Sequence, residues 1–175
     1  MIKNSTEKDL NKNLKVLAID PGYERLGVAV LEKVSGQNKF AEKLIFSECF
    51  KTSSKIDHTE RLFLIGQKIE ETVLKHKPEF LATEKLFFSN NAKTAMMVAE
   101  ARGIILYIAK KYGLKIIELH PADIKIAITG SGRADKKAIY FMAKKLIEIP
   151  NVKMLDDEID AICIGLTFFA QHRQK

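Results

Sequence analysis

Four acidic residues, drawn from three distant stretches of the chain, are the candidates for chemistry in this sequence: Asp20, Glu84, Asp157 and Asp160. Asp20 closes the apolar run "KVLAID" and is followed at once by Pro21 and Gly22, while Glu84 closes a second run, "FLATE". Asp157 and Asp160 are three residues apart, so they point from one face of a helix near its N-terminus. Ala161, Ile164 and Phe168 share that face, and Ile159, Ile162, Cys163 and Leu166 cover the other. A helix apolar nearly all round is a buried one, so both acids face into the protein. Buried carboxylates are costly and like charges raise one another's pKa, so something cationic must be near.

Singly, each acid has a bland reading. Asp20 could be an Asx-type turn residue, Glu84 an exposed strand terminus pairing with Lys85, and Asp157 a helix N-cap. Together they point elsewhere, because neighbouring parallel strands bring their C-terminal ends to one sheet edge, where clefts of α/β folds form. If the final helix packs across that edge, all four converge. Oxygen ligands without His or Cys suit Mg²⁺ or Mn²⁺ and not Zn²⁺. Two such ions can clamp the attacking water and the leaving 3′ oxygen of a phosphodiester, so the expected chemistry is phosphodiester hydrolysis.

The elements that must position these acids follow from the hydrophobic period. Leu14 to Ile19 and Leu26 to Leu31 read as a hairpin, and Phe40 to Phe50 as a third strand. Residues 57 to 77 switch to a helical period, with Leu62, Ile65, Ile69 and Val73 on one stripe, Asp57 and Glu60 in capping-box spacing and Pro78 beyond. Phe80 to Thr83 is a short buried strand ending on Glu84. A long helix spans Ala92 to Tyr112 and stops near Gly113; Gly103 would allow close approach of a neighbour, and its small-residue face could serve a subunit contact. Leu114 to Leu119 is a fifth strand, and His120-Pro121 opens a short helix. The connector "TGSGR" leads into a helix over Ala134 to Glu148, and the last helix covers Asp157 to Gln171. The pattern is one α/β domain.

At 175 residues the chain can bury a core without disulfides or metal staples. No stretch reaches the roughly 18 apolar residues that span a bilayer, so no membrane role is expected. Residues 1 to 13 read as a polar, poorly ordered tail without the apolar stretch of a secretory signal, and residues 14 to 175 as the domain. Cys49 and Cys163 sit in unrelated contexts, as expected of free thiols in a reducing cytoplasm. The net charge is +7, and between Lys110 and Lys153 ten basic residues face four acidic ones. That excess is a candidate nucleic-acid footprint or a set of solvated helix faces.

Four stretches, "AIDPGYERLGVAV", "TEKLFFSNNAKTAMMVAEARGII", "HPADIKIAITGSGRADKKAI" and "DDEIDAICIGLT", resemble the RuvC-type Holliday junction resolvases of bacteria in order and spacing. The resemblance implies an α/β, RNase H-like fold with a mixed five-stranded sheet and helices on both faces. It implies a symmetric homodimer, each subunit nicking one strand of a four-way DNA junction with Mg²⁺, two ions per site, to leave 5′-phosphate and 3′-hydroxyl ends in recombination and repair. Asp20, Glu84, Asp157 and Asp160 match the family's metal-binding acids. Lys125 and Lys136 match lysines near the scissile phosphate, and Arg133 and Lys137 are assigned to phosphate positioning. Phe87 matches the aromatic inserted at the junction centre, with Phe88 as its packing partner or the reverse. The branch-migration proteins RuvA and RuvB are implied as partners, and the bacterial cytoplasm, beside the nucleoid, as the location.

The chain departs from the family in its longer N-terminal extension and in the loop "GYERLG", which sets Glu24 and Arg25 beside the site. Three other readings compete. A YqgF-like RNA-processing nuclease shares the opening motif but not the middle region. An actin-like or sugar-kinase ATPase needs a longer, two-lobed chain. A non-catalytic junction-binding module should lack at least one acid, and all four are present.

Overall fold

The computed structural model describes residues 14–34, 40–85, 92–150 and 154–172. The tail over 1–13 and the aromatics Phe87 and Phe88 lie outside the described residues. Ten elements follow in the order β1 (Lys15–Asp20), β2 (Arg25–Lys33), β3 (Glu42–Lys51), α1 (His58–His76), β4 (Phe80–Glu84), α2 (Ala92–Lys111), β5 (Lys115–Leu119), α3 (Pro121–Thr129), α4 (Lys136–Leu146) and α5 (Asp156–Gln171).

The strands form one mixed sheet in the order β3-β2-β1-β4-β5. β1 and β2 pair antiparallel, as do β2 and β3, whereas β4 runs parallel to both β1 and β5. β1 is central and buried on both faces because its residues alternate between two cores. Val16 and Ala18 join Ala29, Leu31 and Ala82 under α5, with Ile124 of α3 and Ala143 of α4 in the same cluster. Leu17 and Ile19 join Val28, Val30 and Leu81 on the opposite face, covered by Ile65 and Ile69 of α1 and Ala101 and Ile105 of α2. The fold is thus α/β with helices on both faces, as expected.

Local chemistry sets the boundaries. Asp57 caps α1 by accepting from the amides of Thr59 and Glu60. Gly113, at φ 75°, follows the end of α2 in a conformation costly for any side chain. α4 begins at Lys136 and not at Ala134, because the Asp135 carboxylate takes the Ala138 amide as N-cap. β3 starts two residues later than its apolar pattern indicated, at Glu42. A Cβ on Gly103 would meet nothing within 4 Å among the described residues, so none of them makes the expected close approach there. Gly66 of α1 makes that approach instead: its Cβ would lie 3.2 Å from Ile104 Cγ2.

Candidate active site

Asp20 lies two residues beyond Ala18 and four beyond Val16, so strand alternation puts it on the α5 side of the sheet. Glu84 stands in the same relation to Ala82 on the adjacent parallel strand, so both acids emerge at one edge. α5 starts at that edge. Its N-cap is Leu155, which makes no side-chain capping bond, so the N-cap reading of Asp157 is excluded. Asp156, Asp157 and Glu158 fill the first turn, where the helix dipole favours anions.

The approach of α5 depends on one residue of β2. Gly27 pairs with Asp20 across the sheet, and a Cβ there would sit 2.0 Å from the Asp157 carbonyl oxygen. Only a glycine lets the first turn of α5 lie this close to β2, next to Asp20 on the paired strand β1.

The four acids act on one another electrostatically. Asp20 is pushed up to about 7 by burial first, then by Asp160, Glu84 and Asp157, with Lys136 opposing. Burial also raises Glu84; Asp160 adds to that shift and Lys125 counters it. Asp160 is raised by burial and by Asp156 and Asp157, against the pull of Lys136. The sheet edge and the first turn of α5 therefore bring together Asp20, Glu84, Asp157, Asp160, Lys125 and Lys136. Arg133 is exposed in the loop before α4, and Lys137 is exposed on its first turn.

Asp157 is partnered by Arg25, which the sequence set beside the site, and by Cys49, which sequence reasoning missed. Its carboxylate forms an ion pair with Arg25 and accepts the Cys49 thiol at 3.7 Å. Beside it, Ser47 donates to Glu158 at 2.7 Å. The signal was positional: Gly27 pairs with Cys49 and Ala29 with Ser47, which places both β3 side chains on the α5 face. Glu24 turns away to Arg61 at 3.4 Å, whose Nε donates to Thr52 and whose guanidinium lies 4.8 Å from the centre of the Tyr23 ring. The loop before β2 is thereby pinned, and Arg25 faces the acids. Cys49 and Cys163 are both free, and burial with Asp160 nearby pushes the Cys163 thiol up to about 12, which leaves it inert.

A hard divalent cation fits this donor set in kind. Four carboxylates offer oxygen ligands, and burial together with the neighbouring acids pushes Asp20 up to about 7, so a cation there would relieve the crowded charge. Among the described residues, no three such side chains are already closed around a common point. The Asp157 carboxylate is paired with Arg25 at the start of β2.

Comparison with known proteins decides the family. The family model described as crossover junction endodeoxyribonuclease RuvC matches residues 16–168. The chain belongs to the RuvC family. The RuvC of Carboxydothermus hydrogenoformans is 38% identical over 157 residues, covering 89% of this chain and 96% of that one. The RuvC of Moorella thermoacetica is 35% identical over 162 residues, covering 91% and 95%. Among solved structures, T. thermophilus RuvC in complex with a Holliday junction substrate superposes with a TM-score of 0.81 at 29% identity, covering 90% of this chain and 95% of that one. The yeast mitochondrial Holliday junction resolvase Ydc2, at 12% identity and a TM-score of 0.63 over 87% and 76% of the two chains, shares the fold. The fold is therefore RNase H-like, as in RuvC.

Proposed function

We propose that this chain is a Holliday junction resolvase, a structure-selective endonuclease that nicks two symmetry-related strands of a four-way DNA junction and leaves 5′-phosphate and 3′-hydroxyl ends. The observation that carries this reading is the electrostatic coupling of Asp20, Glu84, Asp157 and Asp160 at the edge where β1 and β4 end. RuvC relatives solved with a junction substrate support the choice of DNA.

The four carboxylates would hold two Mg²⁺ ions, or Mn²⁺ in their place. When bound, such ions activate water and stabilise the leaving oxygen of a phosphodiester. The protein's own groups do the rest. Lys125 beside Glu84 and Lys136 beside Asp20 and Asp160 place fixed positive charge where the scissile phosphate gains negative charge. Arg133 and Lys137 hold the backbone, and Phe87 with Phe88 stacks on bases at the junction centre. Replacing Lys136 by Ala should lower the single-turnover cleavage rate roughly a hundredfold, the scale on which one fixed electrostatic group acts. A loss under threefold would remove Lys136 from the transition state.

Paired cutting calls for two subunits. Met96, Gly103 and Tyr107 lie on one exposed face of α2, which supports a homodimer through that helix. RuvA and RuvB would act beside it as branch-migration partners, and residues 14–175 form the nuclease domain behind a polar tail. No described helix is long and apolar enough to cross a membrane.

The test is a labelled synthetic four-way junction offered with Mg²⁺ and with EDTA. Paired, symmetry-related nicks bearing 5′-phosphates, formed only with the metal, are expected. Cutting that ignores branching, or cutting of RNA but not of branched DNA, would overturn the reading.

A further inference from the structure

Next to the acids lies a cleft that the chemistry above does not use. It opens between α4 and the start of α5, with a volume of about 260 Å³. Its apolar lining comes from Ile139 and Tyr140 of α4, Ile159 of α5 and Met154 just before α5, and Lys137 adds a charge at the α4 side. Lys136, Asp156 and Asp160 stand with them around it. Asp160 belongs both to this cleft and to the acid cluster, so whatever fills the cleft sits directly beside the reacting phosphate.

We propose that this cleft is a nucleobase pocket: it takes one unpaired base of a nucleotide flanking the scissile phosphate and so sets which sequences are cut. The proposal rests on the junction-resolvase reading and extends it to base choice. Size favours a single ring system, since the volume falls just under the ~300 Å³ at which pockets for larger small molecules begin. Apolar walls suit the faces of a base, and Tyr140, 36% exposed, offers its ring as a stacking platform. Lys144 lies over that ring at 4.3 Å from its centre.

The mouth supplies the edge chemistry. Lys136 Nζ and the Asp156 carboxylate lie 3.6 Å apart, both about three-quarters exposed, and offer a donor beside an acceptor. The edge of a base presents carbonyl or ring-nitrogen acceptors beside amino or ring N–H donors, the complement of that pair. A strand at a branch point gives up a base at least cost, because its stacking is already interrupted.

Two measurements test the pocket in the full-length protein. In the first, 2-aminopurine replaces each base flanking the cut in turn, and the junction is bound by Asp20→Asn so that it stays uncut. Fluorescence should depart from the stacked value at one flanking position, and adding Tyr140→Ala should cancel that change. In the second, wild type, Tyr140→Ala and Tyr140→Phe cleave a pool of junctions randomised around the exchange point. Wild type and Tyr140→Phe should share one preference, and Tyr140→Ala should flatten it about tenfold, the loss expected for one stacked base. Paired nicks with an unaltered preference in Tyr140→Ala, or no 2-aminopurine change at any flanking position, overturn the pocket and leave the resolvase reading standing. Failure to nick any junction with Mg²⁺ overturns the resolvase reading itself. If Tyr140→Ala does not fold, the 2-aminopurine change with Tyr140 intact decides the matter.

Discussion

Asp20 keeps its proton to about pH 7 because burial and three neighbouring carboxylates all penalise its charge. Its folded value lies above its unfolded one. In the absence of divalent cations its stabilising contribution is therefore complete below about pH 4 and is lost as pH rises through about 7. The full span is on the order of 4 kcal/mol if Asp20 bears the shift alone. Thermal melts in EDTA from pH 4 to pH 8 should show a decline that Asp20→Asn flattens; an unchanged decline in that variant would contradict the assignment. Arg25 acts on the same cluster from the other side. Its ion pair with Asp157 must be given up when that carboxylate turns to a cation. Arg25→Gln should therefore raise Mn²⁺ affinity in the absence of DNA, by up to about fivefold for a partly exposed pair. Weaker binding would mean that Arg25 supports the site and does not compete for it.

The elements hold these residues through one narrow contact. Gly27→Ala pushes a methyl group into the Asp157 carbonyl, so the first turn of α5 must lift away from β2. That should cost on the order of 3 kcal/mol of stability and displace two acids at once, read as a lower denaturation midpoint and weaker Mn²⁺ binding together. A variant as stable as wild type would show that α5 has slack there. The elements themselves were legible in the sequence because each is marked locally. The apolar run Leu14 to Ile19, closed by Asp20-Pro21-Gly22, marked the strand and its end, and Asp57, Gly113 and Pro121 marked helix ends. Glu84 and Asp20 could be placed at one edge because parallel strands end together. What stayed hidden was set by pairing between distant segments. Cys49 meets Asp157 only through the register that opposes Gly27 to Cys49, which no short-range pattern carries. Gly103 and Gly66 were confused for the same reason: which helix face meets its neighbour depends on how α1 and α2 dock.

At the scale of the whole molecule, the proposed function assigns the basic excess and the acid cluster to different steps. A net charge of +7 with ten basic residues between Lys110 and Lys153 favours association with phosphate backbones through counterion release. Junction affinity should fall linearly with salt on logarithmic axes, and Arg133→Ala and Lys137→Ala should each reduce the slope by about one. Slopes unaffected by either change would place the DNA on another surface. On the proposed reading cleavage depends on the acids, so Asp20→Asn should abolish nicking while leaving junction binding in place. The most direct test is calorimetric titration of Mn²⁺ into the full-length protein near pH 7, in buffers of differing ionisation enthalpy, for wild type, Asp20→Asn and Asp160→Asn. The predicted result is binding with proton release in wild type and at least about tenfold weaker binding in both folded variants. Equal affinity in all three proteins, with no proton released, would contradict a cation site built from these acids.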